Sequence, residues 1–262
     1  MKTKIDTVFV VLVYRNYNDL NTFFDSLKLS GINSYKVVVV NSYYDNNTEE
    51  KIKEITLANE SVFISTPNNG YGAGNNRGIQ YAIEHYDFKL LVVSNPDVEI
   101  DYFNENLKYS DKAVIYAPKI IRNDGRNQNP MRIKYSKLSD ALAYFGYIHN
   151  SKLSLYAGIL LTKLDRFFRE KRCVNIYEAH GSFVIFTNKA ILKLSPVFDE
   201  NIFLFCEESD LGHKAAHNNI RIIYDRQTRI RHHEDGSMKL SDINLNNTMK
   251  ESFIYYYKKW CK

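Results

Sequence analysis

The sequence predicts an α/β fold in which helices flank a doubly wound, mostly parallel central sheet. Short β-branched runs such as Thr7–Tyr14 and Tyr35–Asn41 do not alternate with polar residues, which is typical of strands covered on both faces. Segments with helical apolar spacing separate these runs. Glycine-rich and polar segments follow the strands, at the edge where such sheets bind ligands.

The elements alternate along the first part of the chain. Between the first two strands, Asn18–Gly31 has helical spacing and a glycine stop. The pattern then predicts helix 48–59, strand 61–66, helix 75–85, strand 88–95 and strand 113–120.

The second part begins after a change of pattern. Residues 139–172 predict one or two amphipathic helices with basic ends. A strand running into a helix (181–194), a helix from 207, strands from 220 and a C-terminal helix follow. We divide the chain into a first half (1–122), a variable, partly helical insertion (123–175) and a second half that ends in the C-terminal helix (176–262), within a single domain.

Composition narrows the class of protein. The net charge of +5 is modest and the charges of both signs are interleaved, so a nucleic-acid binder is not indicated. The three cysteines lack metal-site or disulfide-scaffold spacing, which predicts a reduced, cytoplasmic protein. The apolar stretch Val8–Tyr14 is too short for a membrane span and has no signal cleavage site.

Three short segments carry candidate chemistry. Ser94–Asp97 (SNPD) is either a strand-ending turn or, through Asp97, a metal site. Glu207, Glu208 and Asp210 either favour a helix start through the helix dipole or, as crowded carboxylates, raise one pKa and supply a general base. In "RHHEDGS", adjacent histidines of an extended segment point to opposite sides, so at most one faces a given site.

The glycine-rich segment Asn68–Gly78 (NNGYGAGNNRG) is either a structural turn or a binding site. Gly suits a positive φ or a close approach to a ligand, and Asn adds hydrogen bonds.

Seven segments in one order resemble the family 2 glycosyltransferases with the GT-A fold, particularly bacterial rhamnosyltransferase-like and galactofuranosyltransferase-like members. They are "VVLVYRNYNDL", "VVVVNSYYDNNT", "NNGYGAGNNRGI", "LLVVSNPDVEI", "GSFVIFTNKAI", "VFDENIFLFCEESDL" and "TRIRHHEDGS". The resemblance covers nearly everything except residues 123–175, and it implies a Rossmann-like GT-A sheet. It also implies that residues 1–122 form the nucleotide-sugar-binding half and residues 176–262 the acceptor and catalytic half.

The resemblance implies roles for individual residues. Asn95 and Asp97 correspond to the Asp-x-Asp element, with Asp97 and His233 holding Mg²⁺ or Mn²⁺ while His232 points elsewhere. Glu208 corresponds to the catalytic base, supported by Glu207 and Asp210. The residues implied to contact the nucleotide are Gly70, Gly74, Asn75 and Arg77 in the loop, and Val13, Arg15 and Asn41 around the base and ribose. Gly181 and Ser182 correspond to contacts with the acceptor or the donor sugar.

The sequence departs from the family pattern at several positions. Tyr14, Arg15 and Asn16 stand where Thr-Tyr-Asn is usual, and Asn41 and Glu208 each stand where Asp is usual. The choice between uracil and thymine therefore stays open.

The implied function is inverting, metal-dependent transfer of rhamnose, galactofuranose or a hexose from a UDP- or dTDP-sugar. The acceptor would be a glycan or a lipid-linked molecule in bacterial surface polysaccharide synthesis. The alternatives are a nucleotide-sugar-binding module without catalysis and a nucleotidyltransferase.

The insertion at 139–172 mixes aromatic and aliphatic residues with Lys and Arg, which is typical of a helix on an anionic membrane surface, here the inner face of the cell membrane. Packing on the core or on a second subunit of a homodimer is the alternative.

Overall fold

A nine-stranded sheet forms the centre of the computed structural model, which describes residues 2–170, 173–233 and 244–261. The strands are β1 (Thr3–Val13), β2 (Tyr35–Ser42), β3 (Val62–Thr66), β4 (Tyr86–Ser94), β5 (Val98–Tyr102), β6 (Val114–Arg122), β7 (Asn175–Ile176), β8 (Phe183–Thr187) and β9 (Arg221–His232). Their order is β3-β2-β1-β4-β8-β6-β9-β5, and β7 pairs with β9.

Eight α-helices lie in the described part of the chain, together with a 3₁₀ turn at Glu105–Tyr109. The helices are α1 (Asn18–Leu29), α2 (Asn46–Ala58), α3 (Tyr71–His85), α4 (Lys137–Ile148), α5 (Lys152–Arg169), α6 (Asn188–Leu194), α7 (Glu207–His217) and α8 (Leu245–Trp260). None of the helices among these residues is both long and apolar enough to cross a membrane.

The predicted α/β class is confirmed. Strands β1 to β4 pair with one another only in parallel, and helical crossovers join them. The second half is mixed, because β8 lies antiparallel between β4 and β6, while β6 and β9 are parallel. Strand β5, an edge strand antiparallel to β9, was missed in the sequence because only five residues follow the SNPD turn before the pattern ends.

Both faces of the sheet are covered, which explains the lack of alternation in its strands. Along β1, Phe9 and Val11 pack on the face covered by α1, together with Phe23 of that helix. Val8 and Val10 pack on the opposite face with residues of α3, α6 and α7.

Two glycines of α3 bring the helix close to the sheet. A Cβ at Gly78 would press on Val10 Cγ1 of β1 and lie 2.9 Å from Val40 Cγ2 of β2, and a Cβ at Gly74 would press on the side chain of Leu12. The helix starts at Tyr71, four residues before its predicted start, because these glycines are helical packing positions rather than loop positions.

The insertion contains two helices, where the sequence predicts one or two, and α4 and α5 pack as an antiparallel hairpin that was not predicted. Gly146 and Gly158 allow close packing, since a Cβ at Gly158 would lie 2.6 Å from the main-chain oxygen of Ser139. The predicted basic residues Lys171 and Arg172 lie outside the described residues.

Candidate active site

A cavity of about 740 Å³ opens at the carboxyl ends of the parallel strands. Its polar wall contains Asp97, His232, Glu207 and Glu208. Its apolar wall comes from the α4–α5 hairpin, α8 and the segment before α7, and includes Ala143, Ile159, Phe203, Leu204, Met249 and Phe253.

Strand register brings the candidate residues together. Ser94 at the end of β4 pairs with Phe183 at the start of β8, so the amide of Asn95 donates to the carbonyl of Ser182 at 2.8 Å. Gly181 and Ser182 therefore lie beside the SNPD turn, and both line the cavity.

The two histidines at the end of β9 point to opposite sides of the sheet, and the structure reverses their expected places. His232 Nε2 is 3.3 Å from Asp97 Oδ1 and the ring lines the cavity. His233 Nε2 is instead 2.6 Å from Glu99 Oε1.

Strand alternation explains the reversal. Glu99 pairs directly with Arg231, and side chains two apart share a face, so His233 and Arg231 flank Glu99 on the outer side. His232, between them, is directed to the cavity. The expected pairing of His233 with Asp97 is corrected accordingly.

Asp97 and His232 fit a divalent cation. His232 Nδ1 donates to Gln128 Oε1 at 2.8 Å, so in the neutral ring Nε2 carries the lone pair that faces Asp97. Asp97 Oδ1 is buried without a hydrogen-bond partner in the described part of the chain. Two facing acceptors, a carboxylate oxygen and an imidazole nitrogen, are suited to a metal ion between them.

The electrostatics of this corner favour an ionised carboxylate. Burial opposes ionisation of Asp97, but hydrogen bonds from the protonated form of His232, from the backbone and from Asn95 outweigh burial and lower the pKa of Asp97 below its ordinary value. His180, whose ring centroid is 5.5 Å from that of His232, is neutral, because burial and the neighbouring His232 lower its pKa to about 3.

Helix α7 presents two adjacent glutamates to the cavity. The chain enters the helix through Cys206 in a left-handed conformation, with φ of 69°, so Glu207 and Glu208 occupy the first turn. Glu208 Oε1 accepts from the amide of Gly181 at 3.3 Å, whereas Glu207 Oε1 is buried without a partner among the described residues.

Burial raises the pKa of both glutamates. The shift is larger at Glu207, where the charge of Glu208 adds to the effect of burial. Because the two carboxyl groups are buried side by side, the pair favours one negative charge over two, and the amide of Gly181 favours the charged form of Glu208.

Asp210, expected to support the base, faces away from the cavity. Its Oδ1 accepts from Lys259 Nζ and Trp260 Nε1, both at 2.6 Å. Asp210 therefore joins α7 to α8.

Most residues expected around the nucleotide base lie behind the cavity surface. Val13 is buried in the core, and Asn41, also buried, donates to Ser65 Oγ at 3.1 Å. Arg15, with φ of 63°, stacks on the ring of Tyr44 at 3.9 Å. The strand ends contribute other side chains to the cavity wall, namely Tyr14, Ser42 and Asn68.

Of the residues predicted in the glycine-rich segment, one lines the cavity and the others do not. Gly70 lines the cavity, and its φ of 101° and close contact with the Phe203 main chain exclude a side chain. Asn75 is buried and its Nδ2 donates to the carbonyl of Tyr71, while Arg77 is exposed on α3. Gly74 packs on β1, so a packing role accounts for it.

Several cavity residues were not predicted from the sequence. Tyr71 donates to the carbonyl of Gly181 at 2.7 Å, beside Glu208. Arg132 Nη1 contacts Asp140 at 2.9 Å and Glu178 at 3.1 Å, and Ser209 donates to Glu178 at 2.7 Å. This buried network joins the insertion to α7, and no motif marks it because its members are far apart in the chain.

A second group of potential ligand atoms lies behind the cavity. One atom each from Asp140, His213 and Cys261 lie within 4.8 Å of one another. Asp140 is already paired with Arg132 and accepts from Tyr256 at 2.9 Å. The positive charge of Arg132 would repel a metal cation at this place. We therefore interpret these contacts as structural links between α4, α7 and α8.

Comparison with known proteins gives the class of fold. No protein-family model matches the chain. The structure aligns with GalNAc-T7 solved with UDP, GalNAc and Mn²⁺ at a TM-score of 0.62 and 11% identity, over 97% of this chain and 48% of that one. It aligns with the mannosyltransferase PcManGT of Pyrobaculum calidifontis, in complex with GDP-Man and Mn²⁺, at a TM-score of 0.57 and 11% identity, over 97% of this chain and 70% of that one. It aligns with S. aureus TarS at a TM-score of 0.55 and 13% identity, over 98% of this chain and 44% of TarS. The chain therefore has the GT-A glycosyltransferase fold.

A curated relative agrees with this class. The low-salt glycan biosynthesis hexosyltransferase Agl10 of Haloferax volcanii is 22% identical over 231 residues, and the match covers 84% of this chain and 65% of Agl10. The resemblance to glycosyltransferases predicted from the sequence is confirmed. The chain spans less than two thirds of the length of this relative and about half of GalNAc-T7.

Proposed function

We propose that the chain is a glycosyltransferase that transfers a sugar from a nucleoside-diphosphate donor by single displacement, with inversion at the anomeric carbon. One observation supports this most strongly. Asp97 with His232, and Glu207 with Glu208, face the same cavity at the carboxyl ends of the strands. Such a cavity offers a cation site and a general base within reach of one substrate.

The donor would lie along the strand ends. Tyr14, Ser42 and Asn68 line that part of the cavity and would meet the nucleoside. Asp97 and His232 would hold Mg²⁺ or Mn²⁺, which supplies positive charge to the departing diphosphate when bound. Two solved structures of the same fold were determined with Mn²⁺, which supports this choice of ion.

The acceptor would be activated by Glu208. Its carboxylate takes the proton of the attacking hydroxyl as that oxygen bonds to the anomeric carbon and the bond to the diphosphate oxygen breaks. A pKa raised by burial suits this role, since a base is most effective when its pKa approaches the working pH. The pair would carry one negative charge, because burial and the repulsion between the two carboxylates oppose a second.

The name of Agl10 supports a hexose as the transferred group and a growing glycan as the acceptor. Rhamnose and galactofuranose remain candidates from the sequence resemblance, as does a lipid-linked acceptor of bacterial surface polysaccharide synthesis. UDP, dTDP and GDP are the nucleotides to test, the last because PcManGT was solved with GDP-Man.

Thermal unfolding with each nucleoside diphosphate, with Mn²⁺ or with EDTA, tests donor binding. At 100 times its Kd a ligand stabilises the protein by about 2.7 kcal/mol, a clear shift in Tm. Stabilisation should require the metal. A shift that EDTA leaves unchanged would contradict the metal site.

Product analysis then tests catalysis with the donor found. Glu208→Gln should keep donor binding and lower transfer by about 10²- to 10⁴-fold. Glu50→Gln, an exposed change on α2, serves as the matched control. Release of pyrophosphate from a nucleoside triphosphate incubated with a sugar phosphate would indicate nucleotidyl transfer, and donor binding without any product would indicate a binding module.

A further inference from the structure

The outer face of helix α5 has no partner in the described part of the chain. Eight large apolar side chains are exposed on this helix, in which Gly158 alone is buried. They are Leu153 (81% exposed), Tyr156 (66%), Ile159 (41%), Leu160 (56%), Leu161 (37%), Leu164 (43%), Phe167 (78%) and Phe168 (76%). A soluble protein rarely exposes so continuous an apolar patch unless it binds another surface.

Five of these residues lie along one side of the helix. Leu153, Tyr156, Leu160, Leu164 and Phe167 recur every three or four residues, so at 3.6 residues per turn they form one stripe. The opposite side packs on α4, where the hydroxyl of Ser139 on α4 donates to the carbonyl of Gly158 at 2.7 Å. The helix is therefore amphipathic, but its large apolar side chains face outward, whereas those of a core helix face the protein interior.

Cationic residues accompany the stripe. Within α5 there are four basic residues and one acidic residue, and at helical spacing Lys152 and Lys163 fall at the edge of the stripe. Aromatic and aliphatic side chains bordered by lysines match the two zones of a bilayer surface, acyl chains below and anionic headgroups beside them. A protein partner would require no such border of one charge.

The stripe is contiguous with the cavity. Ile159 is 41% exposed and also lines the cavity, beside Ala143 and Gly158. Docking through α5 would thus bring the apolar wall of the cavity next to the bilayer.

We propose that the exposed face of α5, with its bordering lysines, docks the protein on the surface of an anionic lipid bilayer. The surface is distinct from the proposed catalytic residues, so it can be tested without turnover.

Sedimentation with sucrose-loaded vesicles tests the proposal on the whole chain. Binding is expected to vesicles of phosphatidylcholine with about one third phosphatidylglycerol, and weaker binding to phosphatidylcholine alone. Leu160→Glu with Phe167→Glu should lower the partition coefficient by about tenfold or more. Leu29→Glu, on α1 and 87% exposed, is the matched control and should bind as the wild type does.

Charge is tested separately. Lys152→Gln and Lys163→Gln should each weaken binding to the anionic vesicles by roughly fivefold and leave binding to neutral vesicles unchanged. Circular dichroism and Tm should match the wild type for all variants, because the replaced side chains are exposed.

Three results would overturn the proposal. They are a wild-type protein that stays in the supernatant with anionic vesicles, equal binding by the Leu160→Glu, Phe167→Glu variant, and a lipid-free dimer that this variant dissociates. Light scattering after gel filtration measures the last.

Discussion

Replacing Asp210 by Ala separates stability from catalysis at the start of α7. The carboxylate is buried and accepts from both Lys259 and Trp260, so it joins α7 to the last turn of α8. The sequence resemblance gives the same residue a supporting role in catalysis. If Asp210 joins the two helices, the variant loses stability; if Asp210 supports the base, the variant loses sugar transfer.

The structure sets the expected loss of stability. Removing one partner of a buried ion pair typically costs about 3–5 kcal/mol. Lys259 keeps a second partner, Asp199 at 2.8 Å, and its side chain is 31% exposed. We therefore expect about 2–4 kcal/mol for Asp210→Ala, and about 1–2 kcal/mol for Asp210→Asn, which keeps an acceptor oxygen but loses its charge.

Urea unfolding measures this effect. With a slope of about 3 kcal/mol per molar, the midpoint for Asp210→Ala should fall by about 1 M. Sugar transfer per folded molecule, measured well below the transition, should stay close to that of the wild type. Glu208→Gln should do the opposite, with an unchanged or higher midpoint and little transfer. An unshifted midpoint for Asp210→Ala, or lost transfer in a stable Asp210→Asn, would refute the structural role.

Three further outcomes are expected. His232→Ala should abolish Mn²⁺-dependent stabilisation by the nucleoside diphosphate whereas His233→Ala keeps it, which a thermal shift measures; the reverse result would restore the assignment made from sequence. Because burial raises the pKa of Glu207, its ionisation destabilises the fold as the pH rises above the ordinary value near 4.5. Glu207→Gln should thus raise Tm at pH 8 and change it little at pH 4, and an equal effect at both would contradict this. Gly78→Ala should lower Tm, since overpacking on Val10 costs about 1–3 kcal/mol against a gain of about 1 kcal/mol in helix propensity; a higher Tm would contradict the packing role.

The sequence was sufficient for those parts of the fold that local pattern determines. Strands β1, β2 and β4 are apolar throughout because both faces are covered, and their crossover helices have regular spacing. Asp97 and the acidic cluster with Glu208 were candidates because each follows an apolar run at an element boundary, and the resemblance to glycosyltransferases selected these two residues. Their catalytic and metal-binding roles stay proposals.

Other features depend on partners that sequence spacing does not specify. Which of His232 and His233 faces the cavity depends on the register of β9 against β5, where Val98 pairs with His232. Helix α3 includes the glycines because Leu12 and Val10 of the neighbouring strand fill the space of their missing side chains. Arg132 was not predicted since its carboxylate partners are supplied by the insertion and by the segment before β8.

The direction of β8 explains why residues so distant in sequence meet at one edge. Strand β8 is antiparallel to both β4 and β6, so it starts where β4 ends, and β6 and β9 run in the direction of β4. The end of β4, the start of β8 and the end of β9 therefore share an edge, which places Asp97, Gly181 and His232 side by side. Because α7 runs back along the sheet to the start of β9, its first turn lies at that same edge, and Glu208 accepts from the amide of Gly181 there. One reversed strand thus brings the proposed cation site and the proposed base to the same wall of one cavity.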